Sequence, residues 1–123
     1  MEVAQPEAET FFIAVVLYVS SSSTPSYNPL YEESFVLFRA GSVEQAREKA
    51  EAHALQSEAS YENEYGEQIR WHRKHLIDVT PVLYEDLKDG TEIYSRHFHD
   101  YAAYSAFEPL LGPGPGSPHS QAS

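Results

Sequence analysis

The sequence predicts an α+β fold, an antiparallel sheet of about four strands in the order β-β-α-β-β with one main helix packed on one face. Three observations predict it. An unbroken apolar run lies near the N-terminus, a capped helix with an alanine stripe follows the second strand, and strand-like alternation resumes after the helix. Because neighbouring strands are interrupted by only one well-marked helix, an antiparallel sheet is favoured over a parallel one.

The first two strands differ in pattern. Phe11–Val19 (FFIAVVLYV) is β-branched and aromatic without alternation, which predicts a central strand with both faces covered. Ser20–Pro29 contains four consecutive serines and two prolines, which predicts a flexible loop. Leu30–Ala40 alternates, so one face carries Ser34, Val36, Phe38 and Ala40 and the other carries Phe35, Leu37 and Arg39.

The main helix is predicted from Ser42 to about Ala59. Ser42 has Gln45 three residues later, the spacing of a capping box. Apolar residues then recur at helical spacing, namely Val43, Ala46, Ala50 and Ala54, with Leu55 beside them. Since most of this stripe is alanine, we expect the helix to pack closely on the sheet.

The second half of the chain predicts a link, a strand, a hairpin and a short helix. Tyr61–Glu67 (YENEYGE) is turn-like, and a strand begins at Gln68 and ends, bulges or lies at an edge at Pro81, which cannot donate to a ladder. Asp89-Gly90 predicts a hairpin between Val82–Leu87 and Thr91–Phe98. A short helix capped by Asp100 is predicted over Tyr101–Phe107.

Composition sets the limits of the domain. We predict a flexible N-terminus over 1–10, one α+β domain over 11–108 and a disordered Gly/Pro/Ser tail over 109–123. The first ten residues carry three Glu and no Lys or Arg, unlike a secretory signal, and the nine residues Phe11–Val19 are too few to span a bilayer as a helix. The expected location is therefore the cytoplasm, without membrane association.

Several segments of the chain resemble those of a known family. They are LYEESFVLFRA running into SVEQAREKAEAHA, then SYENEYGEQIRW, then DGTEIYSRHF, over about residues 11–99. Together they resemble a bacterial family of domains of unknown function, number forty-two eighty-eight. The Tyr-x-Asn-x-Tyr-Gly-Glu link is the most specific piece, because generic α+β packing does not require it. The resemblance implies a compact stand-alone domain and implies no activity, cofactor or catalytic residue.

Histidines are the first candidates for metal binding. His72 and His75 are three residues apart on a predicted strand, so a regular strand would point them to opposite faces. His97 and His99 are two apart and would share a face, so any metal site would use them with one or two further ligands such as Asp100. Surface or stacking histidines explain the pattern more simply, and we expect no metal and no cofactor.

The run from Arg70 to His75 interleaves cations with Trp71, a pattern that can bind single-stranded nucleic acid by stacking and phosphate contacts. The simpler interpretation packs Trp71 in the core and leaves Arg70, His72 and Lys74 in solvent. The net charge of −11 opposes phosphate binding, so a nucleic-acid partner is disfavoured.

Recognition residues are predicted around the link and on the last strand. The candidate binding residues are Tyr61, Asn63, Tyr65, Glu67, Trp71, Tyr94 and Arg96. In the alternative interpretation the tyrosines of the link pack on the helix end, and Asn63 and Gly66 serve only the turn.

Catalysis has little support in these residues. The chain has no cysteine, no Gly-rich phosphate loop and no nucleophile elbow.

Nine Tyr and six Phe exceed what a core with one helix needs, and exposed aromatic residues are effective interface anchors. The sequence therefore favours a small accessory or adaptor domain without catalysis of its own. Such a domain would bind a protein partner or a second copy through a sheet face or edge. Two alternatives stay open, a small-ligand or metal site using His97, His99 and the Tyr61–Glu67 link, and weak nucleic-acid binding through Arg70–His75.

Overall fold

A computed structural model describes residues 8–83 and 86–112 of the chain. Its elements in chain order are β1 (Thr10–Ser22), β2 (Tyr31–Ala40), α1 (Val43–Gln56), β3 (Ala59–Glu62), β4 (Gln68–Pro81) and α2 (Tyr101–Phe107). The four strands form one antiparallel sheet in the order β2-β1-β4-β3. The predicted α+β class, the β-β-α-β-β order and the short C-terminal helix are confirmed.

The predicted central strand is the core of the molecule. β1 lies between β2 and β4, and five consecutive residues from Phe12 to Val16 are buried. A strand hydrogen-bonded on both edges and covered on both faces has no polar side to present, which explains its lack of alternation.

The helix α1 is positioned by its cap and its alanines. The backbone N–H of Gln45 donates to Ser42 Oγ at 3.1 Å, and Gln45 Oε1 accepts from the backbone N–H of Gly41 at 2.6 Å, a variant of the expected capping box. Ala46, Ala50 and Ala54 are fully buried against the sheet, on a face that we call the helix side. Val43 and Leu55, predicted to belong to the stripe, are exposed instead.

The helix ends at Gln56, three residues before the predicted end at Ala59. Ser57 caps it, donating its backbone N–H to His53 O. Ala59 then pairs with Trp71, because Ala59–Glu62 forms β3 as a short edge strand on β4. Tyr61 and Glu62, the first two of the seven residues of the predicted turn-like link, are therefore strand.

Strand β4 contains two irregularities that the sequence pattern did not indicate. Its pairing with β1 shifts between Val15 and Val16 and again between Leu17 and Tyr18, so that Ile77 and Lys74 have no opposite residue on β1. Each extra residue reverses which face the following side chains occupy. The predicted alternation of Gln68–Pro81 therefore fails between Lys74 and Ile77 and holds again from Asp78.

The face opposite α1, which we call the far side, is covered by a segment predicted to be a hairpin. The Asp89-Gly90 turn forms, with the Thr91 N–H donating to Lys88 O at 3.0 Å and Gly90 at φ +88°. Among the described residues of 82–87 and 91–98, however, none is in a strand, which corrects the predicted hairpin; residues 84 and 85 lie outside the described part. The Thr91 hydroxyl hydrogen bonds locally with the Asp86 carbonyl and the Lys88 N–H, and this closes the loop without strand pairing.

Tyr94 anchors this segment on the far side. Val82 packs with Ile13 and Val15 there, and Tyr94 packs against the same cluster. The Tyr94 hydroxyl donates to Asp78 Oδ2 at 2.9 Å. Burial first, then the hydrogen bond and the charge of Asp78, raise the pKa of the Tyr94 phenol above its ordinary value.

Tyr94→Phe should lower the free energy of unfolding at neutral pH by about 1 kcal/mol, the usual value of one hydrogen bond. Its alkaline dependence should also change. Because the pKa of Tyr94 is raised in the folded state, the unfolded chain loses this proton first, so stability falls as pH rises through about 10. Urea unfolding at neutral and alkaline pH should show a smaller alkaline loss for the variant. Tyr101→Phe is the control, and an equal change in both variants would contradict the assignment.

The ends of the predicted domain lie partly outside the described residues. Residues 1–7, most of the predicted flexible N-terminus, and 113–123, most of the predicted tail, are outside them, whereas Thr10 already belongs to β1. Within 8–83 and 86–112, no helix is long and apolar enough to cross a membrane.

Candidate functional site

The outer edge of β2 is the longest regular unpaired backbone edge of the described sheet. β2 has ten residues and pairs with β1; on the opposite side β3 has four residues, and the part of β4 beyond it contains both extra residues and ends at Pro81. Phe35 and Leu37 lie on the far side of β2 and are 58 % and 42 % exposed. Native sheets commonly protect edges by short strands, prolines or bulges, and β2 has no proline and no shift against β1.

The hydrogen-bonding direction of β2 follows from two contacts. The Ser20 N–H donates to Leu30 O at 2.9 Å, while Arg39 O accepts from Lys49 Nζ on α1. Leu30 therefore points its carbonyl toward β1, and Arg39 points its carbonyl away. Because this direction alternates in an antiparallel pair, the odd-numbered residues from 31 to 39 present their N–H and C=O groups outward.

The predicted link folds as a tight loop that uses its own polar groups. Asn63 Oδ1 accepts the N–H groups of Tyr65 and Glu67 at 3.0 and 2.9 Å, and Asn63 Nδ2 donates to Glu67 Oε1 at 2.9 Å. Gly66 has φ +77°, a conformation that favours glycine. The geometry matches the turn interpretation of Asn63 and Gly66, while the side chains of Tyr61 and Tyr65 remain exposed.

The other predicted binding residues lie on both faces of the sheet. Trp71 is half-buried on the helix side, packed against the cluster of Val16, Tyr18 and Ala54, and it shares this face with Tyr61, whose partner on β4 is Ile69. Tyr94 lies on the far side, where its ring centroid is 5.5 Å from that of Phe35, and Arg96 is exposed. The seven predicted residues therefore do not form one site.

The histidines are arranged differently from the prediction. His72 and His75 pair with Val19 and Leu17, so the extra residue Lys74 brings both histidines onto the far side. The predicted opposite orientation is wrong. His97 and His99 are exposed in a segment without strand structure, so no strand holds them on a shared face. Among the residues that the structure describes, no group of three His, Cys, Asp or Glu side chains could hold a metal ion.

The cations of the Arg70–His75 run lie in different surroundings, one in an ion pair and two exposed to solvent. Arg73 binds Glu51 of α1 at 2.8 Å on the helix side. Lys74 and Arg70 are exposed, and Arg70 pairs with Ser21. The run therefore presents a divided set of charges, of which one is neutralised within the molecule.

A pocket lies on the helix side where the sheet extends beyond the end of α1, and we call it the helix-end pocket. Its volume is about 320 Å³. It is lined by Tyr18, Glu32, Ser34, Val36, His53, Ser57, Ala59 and Trp71. Ser34 Oγ donates to Glu32 Oε1 at 3.1 Å, and the His53 ring stands edge-on to Phe38 at 5.5 Å between centroids.

Sequence reasoning found only Trp71 among these lining residues. Glu32, His53 and Tyr18 come from three different elements, and their meeting depends on where α1 ends. The wall of the pocket that β2 contributes could have been found from the alternation of this strand, since Glu32 shares its face with Ser34 and Val36.

A second exposed feature is the C-terminal arm, residues 98–111. α2 packs against no other helix or strand of the described chain. Its aromatic side chains stack on one another, with Phe98 and Tyr104 at 4.9 Å and Tyr101 and Tyr104 at 6.5 Å between centroids. Phe107 and Leu110 are exposed beyond them.

These features define a small α+β domain with one long helix on the sheet, a long free sheet edge and the modest helix-end pocket. The chain belongs to the family described as Domain of unknown function (DUF4288), whose model matches residues 11–95. The suspected family is confirmed, and the C-terminal arm lies beyond the matched range. Comparisons with curated proteins and with solved structures found no match.

Proposed function

We propose that this protein is a small accessory or adaptor domain that acts by protein–protein interaction, pairing through the outer edge of β2 with a second copy of itself. The observation that carries the proposal is the unpaired ten-residue edge with exposed Phe35 and Leu37. Strand addition to such an edge supplies main-chain hydrogen bonds, and alternate side chains supply specificity.

Charge complementarity selects the second copy as the partner. A two-fold axis at Val36, perpendicular to the sheet, pairs outward-pointing residues of both copies in antiparallel register. In this register Phe35 lies opposite Leu37 of the other copy, and Glu33 lies opposite its Arg39. The two-fold axis forms each contact twice, and cross-strand pairs of these kinds contribute about 0.2–1 kcal/mol each.

The pairing also ends after two copies. Joining the β2 edges gives one continuous sheet whose remaining edges are β3, a strand of four residues, and the part of β4 beyond it, which contains two bulges and ends at Pro81. Short edge strands, bulges and proline all hinder further pairing. The contact is therefore closed and symmetric, as in most homo-oligomers.

Charge reversal tests this register. Glu33→Arg places an arginine opposite Arg39 at both symmetry-related contacts. The repulsion between these like charges should weaken dimerisation by about tenfold or more. Arg39→Glu should do the same, and the double variant should restore the dimer because the pairs are re-formed with reversed sign. Sedimentation equilibrium of the full chain measures the dissociation constant for each protein.

Glu32→Arg is the matched control, because Glu32 lies on the helix side and opposes Ala40 of the other copy in this register. The control should keep the dimer. A wild-type protein that stays at 13.9 kDa at the highest attainable concentration would overturn the proposal, as would two single variants that dimerise normally.

The other proposals from the sequence find less support. The polar groups of the Tyr61–Glu67 loop bind one another, which leaves few for a ligand. Arg73 in the basic run is paired with Glu51. We propose that the domain has no catalysis of its own and acts in the cytoplasm, in keeping with the acidic net charge of −11.

A further inference from the structure

The helix-end pocket has the properties of a site for a positively charged group. Its floor is the helix side of the sheet, formed by Tyr18 and Trp71 after the last buried alanine of α1, Ala54. Its volume of about 320 Å³ is near the lower end of small-molecule pockets, roughly 300–1,000 Å³. A group the size of a basic side chain would fit there.

Three sources of negative potential meet at this pocket. The Glu32 carboxylate lies at the rim, and Ser34 Oγ orients it through a hydrogen bond of 3.1 Å. The C-terminal end of α1 is capped by Ser57, which lines the pocket, and the helix dipole is negative at this end. The half-buried Trp71 indole also lines the pocket, and indole is the best aromatic surface for a cation.

Opposing positive charge is weak at the pocket. None of its eight lining residues is Lys or Arg. Arg73, the neighbour of Trp71 along β4 by two residues, directs its guanidinium to Glu51 at 2.8 Å. An anion would therefore meet Glu32 and the helix C-terminus with His53 as the one basic lining side chain.

We infer that the helix-end pocket binds an organic cation, an alkylammonium or guanidinium group. The group would lie over Trp71 and pair with Glu32. This chemistry has two sources, a free amine or a lysine or arginine side chain displayed on a polypeptide. The inference does not depend on the β2-edge dimer, because Glu32 faces the helix side, whereas the register above uses the far side.

Trp71 allows a direct test because it is the only tryptophan of the chain. Its fluorescence in the full-length protein should change saturably on titration with n-butylammonium and with N-acetyl-lysine methylamide. Butyrate, which has a similar apolar body and opposite charge, should give no saturable change. Tighter binding of the amide would identify a displayed side chain as the source, and tighter binding of the amine a free ligand.

Two isosteric variants locate the site. Glu32→Gln should weaken cation binding about tenfold or more, since it removes the charge while keeping the shape. Glu33→Gln removes the same charge from the adjacent residue on the far side and should bind like the wild type. Equal thermal midpoints would show that both variants remain folded. The inference is overturned if neither cation gives a saturable change, if butyrate responds equally, or if Glu33→Gln weakens binding as much as Glu32→Gln.

Discussion

Ala50→Leu is expected to lower the free energy of unfolding by about 2 kcal/mol or more, because it forces extra atoms into a packed interface. Ala50 has no exposed surface and packs with Phe12, Ala14 and Val79 of the sheet. The close approach of α1 depends on small side chains, since Ala46 and Ala54 on either side of it are equally buried. For a domain of this size, each kcal/mol corresponds to a change in Tm of about 4–8 °C.

Ala52→Leu separates packing from helix propensity. Ala52 is exposed on the same helix, and leucine and alanine differ little in their preference for helix. This control should stay within about 0.5 kcal/mol of the wild type, as surface substitutions usually do. Equal Tm values for Ala50→Leu and Ala52→Leu would show that the alanine stripe does not set the spacing between helix and sheet.

Ser20→Ala is expected to be the second strongest substitution, with a loss of about 1–3 kcal/mol. Ser20 is fully buried, and its hydroxyl contacts Tyr27 Oη at 2.6 Å, the Leu30 N–H at 2.9 Å and Leu30 O at 3.2 Å. One buried side chain therefore fastens both the middle and the end of the loop between β1 and β2. Alanine would leave the Leu30 N–H without this acceptor.

Ser23→Ala is the control for this loop, because Ser23 is exposed in the same serine run. Chemical denaturation should show a clear loss for Ser20→Ala and almost none for Ser23→Ala. Hydrogen exchange at Leu30 should also accelerate only in Ser20→Ala. If exchange at Leu30 is unchanged, the hydroxyl is not what protects this amide.

Local patterns predicted the elements whose causes are local. The cap at Ser42, the alanine stripe of α1 and the apolar run of β1 each depend on residues within one or two turns or one strand, and all three are present. The serine run predicted a loop from Ser20, whereas Ser20–Ser22 complete β1, and no local pattern indicated that Ser20 would be the buried anchor of the loop that follows. That role depends on Tyr27 and Leu30 returning to the end of β1.

The features that sequence reasoning missed depend on distant partners. The extra residues Lys74 and Ile77 are defined by pairing with β1, some sixty positions earlier in the chain. The Asp89-Gly90 turn formed as predicted, yet its flanking residues cover the far side through Val82 and Tyr94 and do not pair as strands. The helix-end pocket likewise exists only because α1 ends before the sheet does, which β3 and Ser57 determine together.

The two extra residues of β4 also restrict how this chain can change length. Each is taken up as a bulge, so that removing Lys74 alone would join Arg73 to His75 in regular alternation, opposite their present partners Tyr18 and Leu17. Trp71 and Leu76 would keep their places on the helix side, and removing Ile77 would likewise leave Leu76 and Asp78 on their present faces. Adding or losing a residue elsewhere in the strand would exchange inside for outside unless a bulge absorbed the change. Relatives of different length in this strand should therefore differ at positions 74 and 77 more readily than at positions paired with β1.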